Sequence, residues 1–150
     1  MGFESLNDIL DFAVKREREA ILFYKELQDL SKFSEQRKML FELETMERGH
    51  IEILENIRYT KLELIEIPEI ENLKISDYLV KSKPTENMSY QDILISAIKK
   101  EESSNNFYND LASMVNNPEY RKLFLKLASE EAKHKLYFEK IYDDEILKEN

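Results

Sequence analysis

The sequence predicts an all-α four-helix bundle made of two repeated antiparallel helical hairpins joined by a long crossover. Three observations predict it. Four segments carry apolar residues at three-four spacing, the period of an amphipathic helix. Glycine and proline are scarce, at 2 and 3 in 150 residues, which favours long helices over tight turns. The chain also repeats itself at a shift of 84 residues, aligning Ser5 with Ser89, Asp8 with Asp92, Phe23-Tyr24 with Phe107-Tyr108 and Arg37-Lys38 with Arg121-Lys122. About 18 of roughly 49 helical positions are identical under this shift, where chance would give about 3.

The first helix is read over about 5–30. Ser5-x-x-Asp8 resembles a capping box, in which side chains satisfy the free N–H groups of the first turn. Its inward stripe is Leu10, Ala13, Glu17, Ala20, Tyr24 and Leu27. Glu19 and Glu26 fall off the stripe and are expected in solvent. The second helix is read over about 34–58, with Ser34 as N-cap. Its stripe is Leu40, Leu43, Glu47, His50, Leu54 and Ile57. Only a short break separates these helices, so they form an antiparallel hairpin.

Residues 59–87 break the period and are read as the crossover. Pro68 and Pro84 punctuate it, Leu64-Ile65-Glu66-Ile67 is expected to be briefly extended, and residues 75–80 to form a helical turn or two. A helix of about 25 residues is nearly 40 Å long. A chain that must return along the bundle needs a connection of this length.

The third helix is read over about 88–115, with Ser89-x-x-Asp92 repeating the capping signal. Its stripe is Leu94, Ala97, Glu101, Ser104, Tyr108 and Leu111. Asn117-Pro118 then supplies an N-cap and a first-turn proline. The fourth helix is read over about 118–142, with stripe Phe124, Leu127, Glu131, His134, Phe138 and Ile141. The polar residues 143–150 are expected to fray. The whole of 1–150 is read as one domain.

The stripes contain ionisable residues where a core should be apolar. Glu17, Glu47, Glu101 and Glu131 place four carboxylates in one layer, with no Lys or Arg on the stripes to offset them. Each ionised carboxylate in a dry core is unfavourable by several kcal/mol, on the order of the penalty for any buried ion. Protonation or divalent cations must resolve the conflict, and two divalent ions would match the four negative charges. The only two histidines, His50 and His134, each follow a stripe glutamate by three residues, so each Glu-x-x-His points both side chains the same way. One such pair is weak evidence. Two pairs, each with a further core glutamate, make a site for two metal ions. Carboxylate and imidazole ligation without sulfur suits iron or manganese, and zinc can also bind.

Tyr24 and Tyr108 lie on the same faces as Glu17 and Glu101 and are candidates to hydrogen-bond ligand carboxylates. Ordinary core tyrosines would look the same. Phe23 and Phe107 read as packing residues. Ala20 and Ser104 are small enough to leave space beside the metals. Glu44 and Glu130, which flank the motifs, are expected to be exposed.

Composition excludes other chemistries. There is no cysteine, so thiolate metal sites, iron–sulfur clusters, disulfides and cysteine nucleophiles are absent from these residues. The formal net charge of −9 disfavours nucleic acid and anionic membrane surfaces. No apolar run approaches a membrane span and no signal peptide is evident, so the cytoplasm is the expected compartment.

The residues Glu17, Glu47-x-x-His50, Glu101 and Glu131-x-x-His134, with the Phe-Tyr pairs, resemble the ferritin-like superfamily and within it the rubrerythrin-type di-iron domain. The resemblance spans about Ser5 to Tyr142. It implies a ferritin-like bundle with two iron ions held by these six residues, and no catalytic group beyond the ligands. It implies reduction of hydrogen peroxide or dioxygen, with a ferroxidase-like iron-handling protein as the alternative. Two departures stand out. Rubrerythrins proper have a further ligand glutamate where this chain has Ser104. They also carry a rubredoxin-like Cys₄ module, and this sequence has no cysteine. Electrons must then come from a separate donor protein or a small molecule. A homodimer is expected.

The same reading makes a stability expectation. Glu17→Leu should stabilise the metal-free protein while weakening metal binding.

Overall fold

In the computed structural model, residues 3, 5–58, 73, 75–79 and 89–147 are described. They form four long helices: α1 (Leu6–Leu30), α2 (Ser34–Asn56), α3 (Tyr90–Met114) and α4 (Pro118–Tyr142). No strand occurs among them. Helix α1 packs on α2 and α3 on α4, and contacts between α1 and α3 join the two hairpins.

Three of the four predicted caps form. Ser5 Oγ accepts from Asp8 N at 3.2 Å, Ser89 Oγ accepts from Asp92 N at 3.1 Å, and Asn117 Oδ1 accepts from Glu119 N at 2.9 Å. The cap of α2 differs. Phe33 is its N-cap residue and Ser34 is already helical, with no side-chain cap bond. The nearby polar work is done by Ser31, whose hydroxyl bonds Gln36 and the Phe33 carbonyl.

Buried side chains form two apolar clusters. One contains Leu10, Ala13, Leu54, Ile57, Phe107, Leu111, Phe124 and Leu127. The other contains Ala20, Phe23, Leu27, Leu40, Leu43, Leu94, Ala97 and Phe138. In every helix the ionisable stripe residues fall between the positions given to one cluster and those given to the other. The first cluster takes the start of α1 and the end of α3. The second takes the end of α1 and the start of α3. The helices α1 and α3 therefore run antiparallel, as the repeat requires of a pseudo-two-fold bundle.

The same clusters locate the crossover. Ile57, before it, lies in the first cluster and Ile93, after it, in the second, so its two ends are at opposite ends of the bundle. The expected helical turn is present as a 3₁₀ turn, Ile75–Tyr78. The expected extended stretch at 64–67 lies outside the described residues. Leu73 is buried in the first cluster and its carbonyl accepts from Phe3 N at 3.3 Å.

The C-terminal expectation needs correction up to residue 147. Asp143–Leu147 continues α4 as a π-helical turn. Glu145 in that turn accepts from the Tyr90 hydroxyl at 2.6 Å and from Gln36 Nε2 at 3.1 Å. These bonds tie the end of the chain to α2 and α3 rather than leaving it frayed.

Candidate metal centre

All six predicted ligands are buried, none more than 2 % exposed. They converge as two overlapping groups. Glu17, Glu47, His50 and Glu131 each bring a ligand atom within 4.8 Å of the others, and so do Glu47, Glu101, Glu131 and His134. Glu47 and Glu131 belong to both groups. The arrangement is therefore two four-residue sets sharing two carboxylates, with Glu17 and His50 at one end and Glu101 and His134 at the other.

The histidines cross between repeats. His50 Nδ1 lies 2.9 Å from Glu131 Oε1, and 3.7 Å from Glu47 Oε1 of its own motif. His134 Nδ1 lies 2.9 Å from Glu47 Oε1. The two rings are nearly parallel, at 9° with centroids 6.3 Å apart. The tyrosines cross as well. Tyr108 donates to Glu17 Oε1 at 2.8 Å, and Tyr24 donates to Glu101 Oε1. Both hydroxyls thus hold ligand carboxylates, and the reading of Tyr24 and Tyr108 as merely amphipathic core residues fails.

The donor set fits a pair of cations on a second ground. Among the described residues, eight buried side-chain polar atoms lack a hydrogen-bond partner, and seven belong to the six predicted ligands. They include both oxygens of Glu47 and Nδ1 of His50. Buried polar atoms are nearly always bonded. His134 Nε2 aside, these are carboxylate oxygens and an inner imidazole nitrogen crowded together without donors, which a shared central cation would satisfy.

Titration reflects the same crowding. Burial, and then the charge of Glu131, pushes Glu47 well above the ordinary carboxylate range. Burial, and then the charges of Glu101 and Glu17, does the same to Glu131. Glu101 moves the other way: burial would raise it, but the close approach of Glu131 and His134 and the hydrogen bond from Tyr24 hold it below its usual value. Burial would lower His50, but the carboxylates of Glu131 and Glu17, 2.9 and 3.4 Å from its Nδ1, overcome this and push it up to about 11. Without metal, protons take the role of the cations.

Several partners lie outside the sequence reading. Glu130, expected to be exposed, accepts from or bonds to His50 Nε2, and its side chain is 20 % exposed. Glu44, also expected to be exposed, is buried and is held by Gln28 at 2.9 Å and Arg48 at 2.9 Å. Glu19 pairs with Lys100 at 2.5 Å instead of standing in solvent, whereas Glu26 is exposed as expected. Two buried cations flank the site. Arg16 and Lys100, each just before a terminal glutamate, occupy positions related by the repeat. Arg16 donates to the carbonyls of Tyr78 and, at 3.3 Å, Lys100. A basic residue at both positions was the available signal. The small residues Ala20 and Ser104 are buried one turn past Glu17 and Glu101.

Comparison with known proteins agrees with this geometry. A family model matches residues 92–150. The matched model is that of the rubrerythrin family, and the match spans only this C-terminal part of the chain. The match covers Glu101, Glu131 and His134, and the internal repeat carries the pattern to Glu17, Glu47 and His50. The all-helical four-helix fold is consistent with the ferritin-like superfamily. The chain is also similar to a solved structure, "Hypothetical Protein Pfu-1136390-001" from Pyrococcus furiosus. The identity is 26% with a TM-score of 0.69, over 93% of this chain and 89% of that one. No curated protein matches the chain. Among the described residues, no helix is long and apolar enough to cross a membrane.

Proposed function

We propose that the protein is a non-haem di-iron oxidoreductase of the rubrerythrin type, reducing hydrogen peroxide or dioxygen with electrons from an external donor. The observation that carries this reading is the pair of ligand sets sharing Glu47 and Glu131. Bound iron would supply one-electron redox steps and open coordination positions. The same donors would accept manganese or zinc.

The chain's own residues do the rest. Glu47 and Glu131, which belong to both sets, would be shared between the two ions, and Glu17 and Glu101 would serve one each, oriented by the hydroxyls of Tyr108 and Tyr24. His50 and His134 offer Nδ1 from opposite repeats. The apolar clusters above and below keep bulk water from the layer, which strengthens each charge interaction within it. These 150 residues hold no cysteine, so the reductant lies outside them.

The same absence favours one second reading, a ferroxidase-like iron-handling protein without sustained turnover. The test loads the protein with two equivalents of Fe(II) without oxygen. Separate samples then receive hydrogen peroxide or dioxygen, and near-ultraviolet absorbance is followed through repeated re-reduction. Faster reaction with peroxide in every cycle supports the oxidoreductase. A single oxidation, faster with oxygen and followed by iron release, overturns it in favour of iron handling.

A further inference from the structure

The inner histidine nitrogens lie equally close to the shared glutamates, although the Tyr24 hydroxyl also approaches His134 Nδ1, at 3.3 Å; the outer nitrogens differ outright. His50 Nδ1 to Glu131 and His134 Nδ1 to Glu47 are both 2.9 Å. On the outside, His50 Nε2 is bonded to Glu130. His134 Nε2 is buried and has no hydrogen-bond partner among the described residues. The repeat explains the difference. Moving 84 residues back from Glu130 gives Met46, which has no carboxylate to offer.

From this we infer that Glu130 is a positioning residue that makes the two metal positions unequal, the Glu17–His50 position binding its ion more tightly than the Glu101–His134 position. The inference rests on the two-metal reading above. An ion on Nδ1 requires the ring hydrogen on Nε2. At His50 that hydrogen has an acceptor in Glu130, which fixes the ring and strengthens the inner nitrogen as a donor. At His134 the same hydrogen would point into a buried space with no acceptor. Such outer partners typically change metal affinity by about 10- to 100-fold. The rest of the shell does not cancel the difference: each terminal glutamate has its own tyrosine, and the extra contact of the Tyr24 hydroxyl, 3.3 Å from His134 Nδ1, competes for the inner nitrogen of that position and leaves its outer one unsupported.

The test is titration of the metal-free protein with Co(II), followed by calorimetry and visible absorbance. Wild type should show two dissociation constants separated by about 10- to 100-fold. Glu130→Met should weaken the tighter class by that factor and make the two alike. Met46→Glu should tighten the weaker class. Circular dichroism checks the fold, and Glu130→Gln, which keeps an acceptor of the same size, should retain most of the separation. Equal constants in wild type would overturn the inference. So would a separation unchanged by both Glu130→Met and Met46→Glu, or an equal weakening of both classes. Absence of any cobalt binding would overturn the two-metal reading and the inference with it, whereas two equal ions would overturn the inference alone.

Discussion

His50 Nδ1 lies nearer to Glu131 of the opposite repeat, at 2.9 Å, than to Glu47 of its own Glu-x-x-His, at 3.7 Å. Neither motif is a site by itself. Each builds half of two sites, and the shared carboxylates follow from that crossing.

Shared and terminal ligands should therefore behave differently on removal. Glu47→Ala or Glu131→Ala deletes a member of both ligand sets and should abolish tight binding of both ions. Glu17→Ala or Glu101→Ala deletes a member of one set and should leave one tightly bound ion. Metal counting after anaerobic gel filtration separates these outcomes. Equal loss from all four variants would count against sharing.

The metal-free protein should become less stable as pH rises from about 5 to about 8, since ionising groups held uncharged by the fold destabilise it. Glu47 and Glu131 have folded values well above 4.5. A raised carboxylate contributes stability that is full below its unfolded value and is lost as pH climbs through the folded one. His50 rises from 6.5 to about 11, so its contribution is full below 6.5 and fades as pH approaches 11. Both effects have the same sign. Glu101, held low, loses its contribution only at pH below 4.5, outside this range. Thermal melts across the range should show a falling midpoint, and a flat or rising one would contradict the electrostatic account. Metal affinity should rise with pH over the same interval, because ligands must lose protons to bind.

Glu47→Leu should stabilise the metal-free protein by roughly 1–3 kcal/mol, the usual penalty of an unsatisfied buried polar group, while destroying metal binding. Both Glu47 oxygens lack hydrogen-bond partners among the described residues. The earlier expectation for Glu17→Leu must be narrowed, because that change strands the Tyr108 hydroxyl. It should stabilise only when combined with Tyr108→Phe. Urea unfolding of the single and double variants measures both effects.

Tyr24→Phe should destabilise the metal-free protein by about 1.5–3 kcal/mol, the range for a hydrogen bond to a charged group. A tyrosine that only packs would lose almost nothing on becoming phenylalanine. Chemical denaturation decides between them, and a change below a few tenths of a kcal/mol would show that the Glu101 bond has no net value.

The sequence made the fold legible because every helix stripe kept its period, including at Glu17, Glu47, Glu101 and Glu131. The repeat added the symmetry, from which the antiparallel α1–α3 pairing follows. Periodicity shows which way a residue faces along its own helix but not what meets it from the next. Glu130 and Glu19 sit off the stripes and still reach partners on neighbouring helices, His50 on α2 and Lys100 on α3. Arg16 and Lys100 are buried at the α1–α3 seam although neither lies on a stripe. Phe33 rather than Ser34 stands at the N-cap of α2, with no side-chain cap bond, a position that the sequence around Ser34 does not reveal.

The central claim is that two ions share Glu47 and Glu131 inside one chain. Anaerobic titration of the metal-free protein with Fe(II), read by the bound metal per chain, tests it most directly. The account predicts saturation at two ions. Saturation at one ion, or no saturable binding, would contradict it.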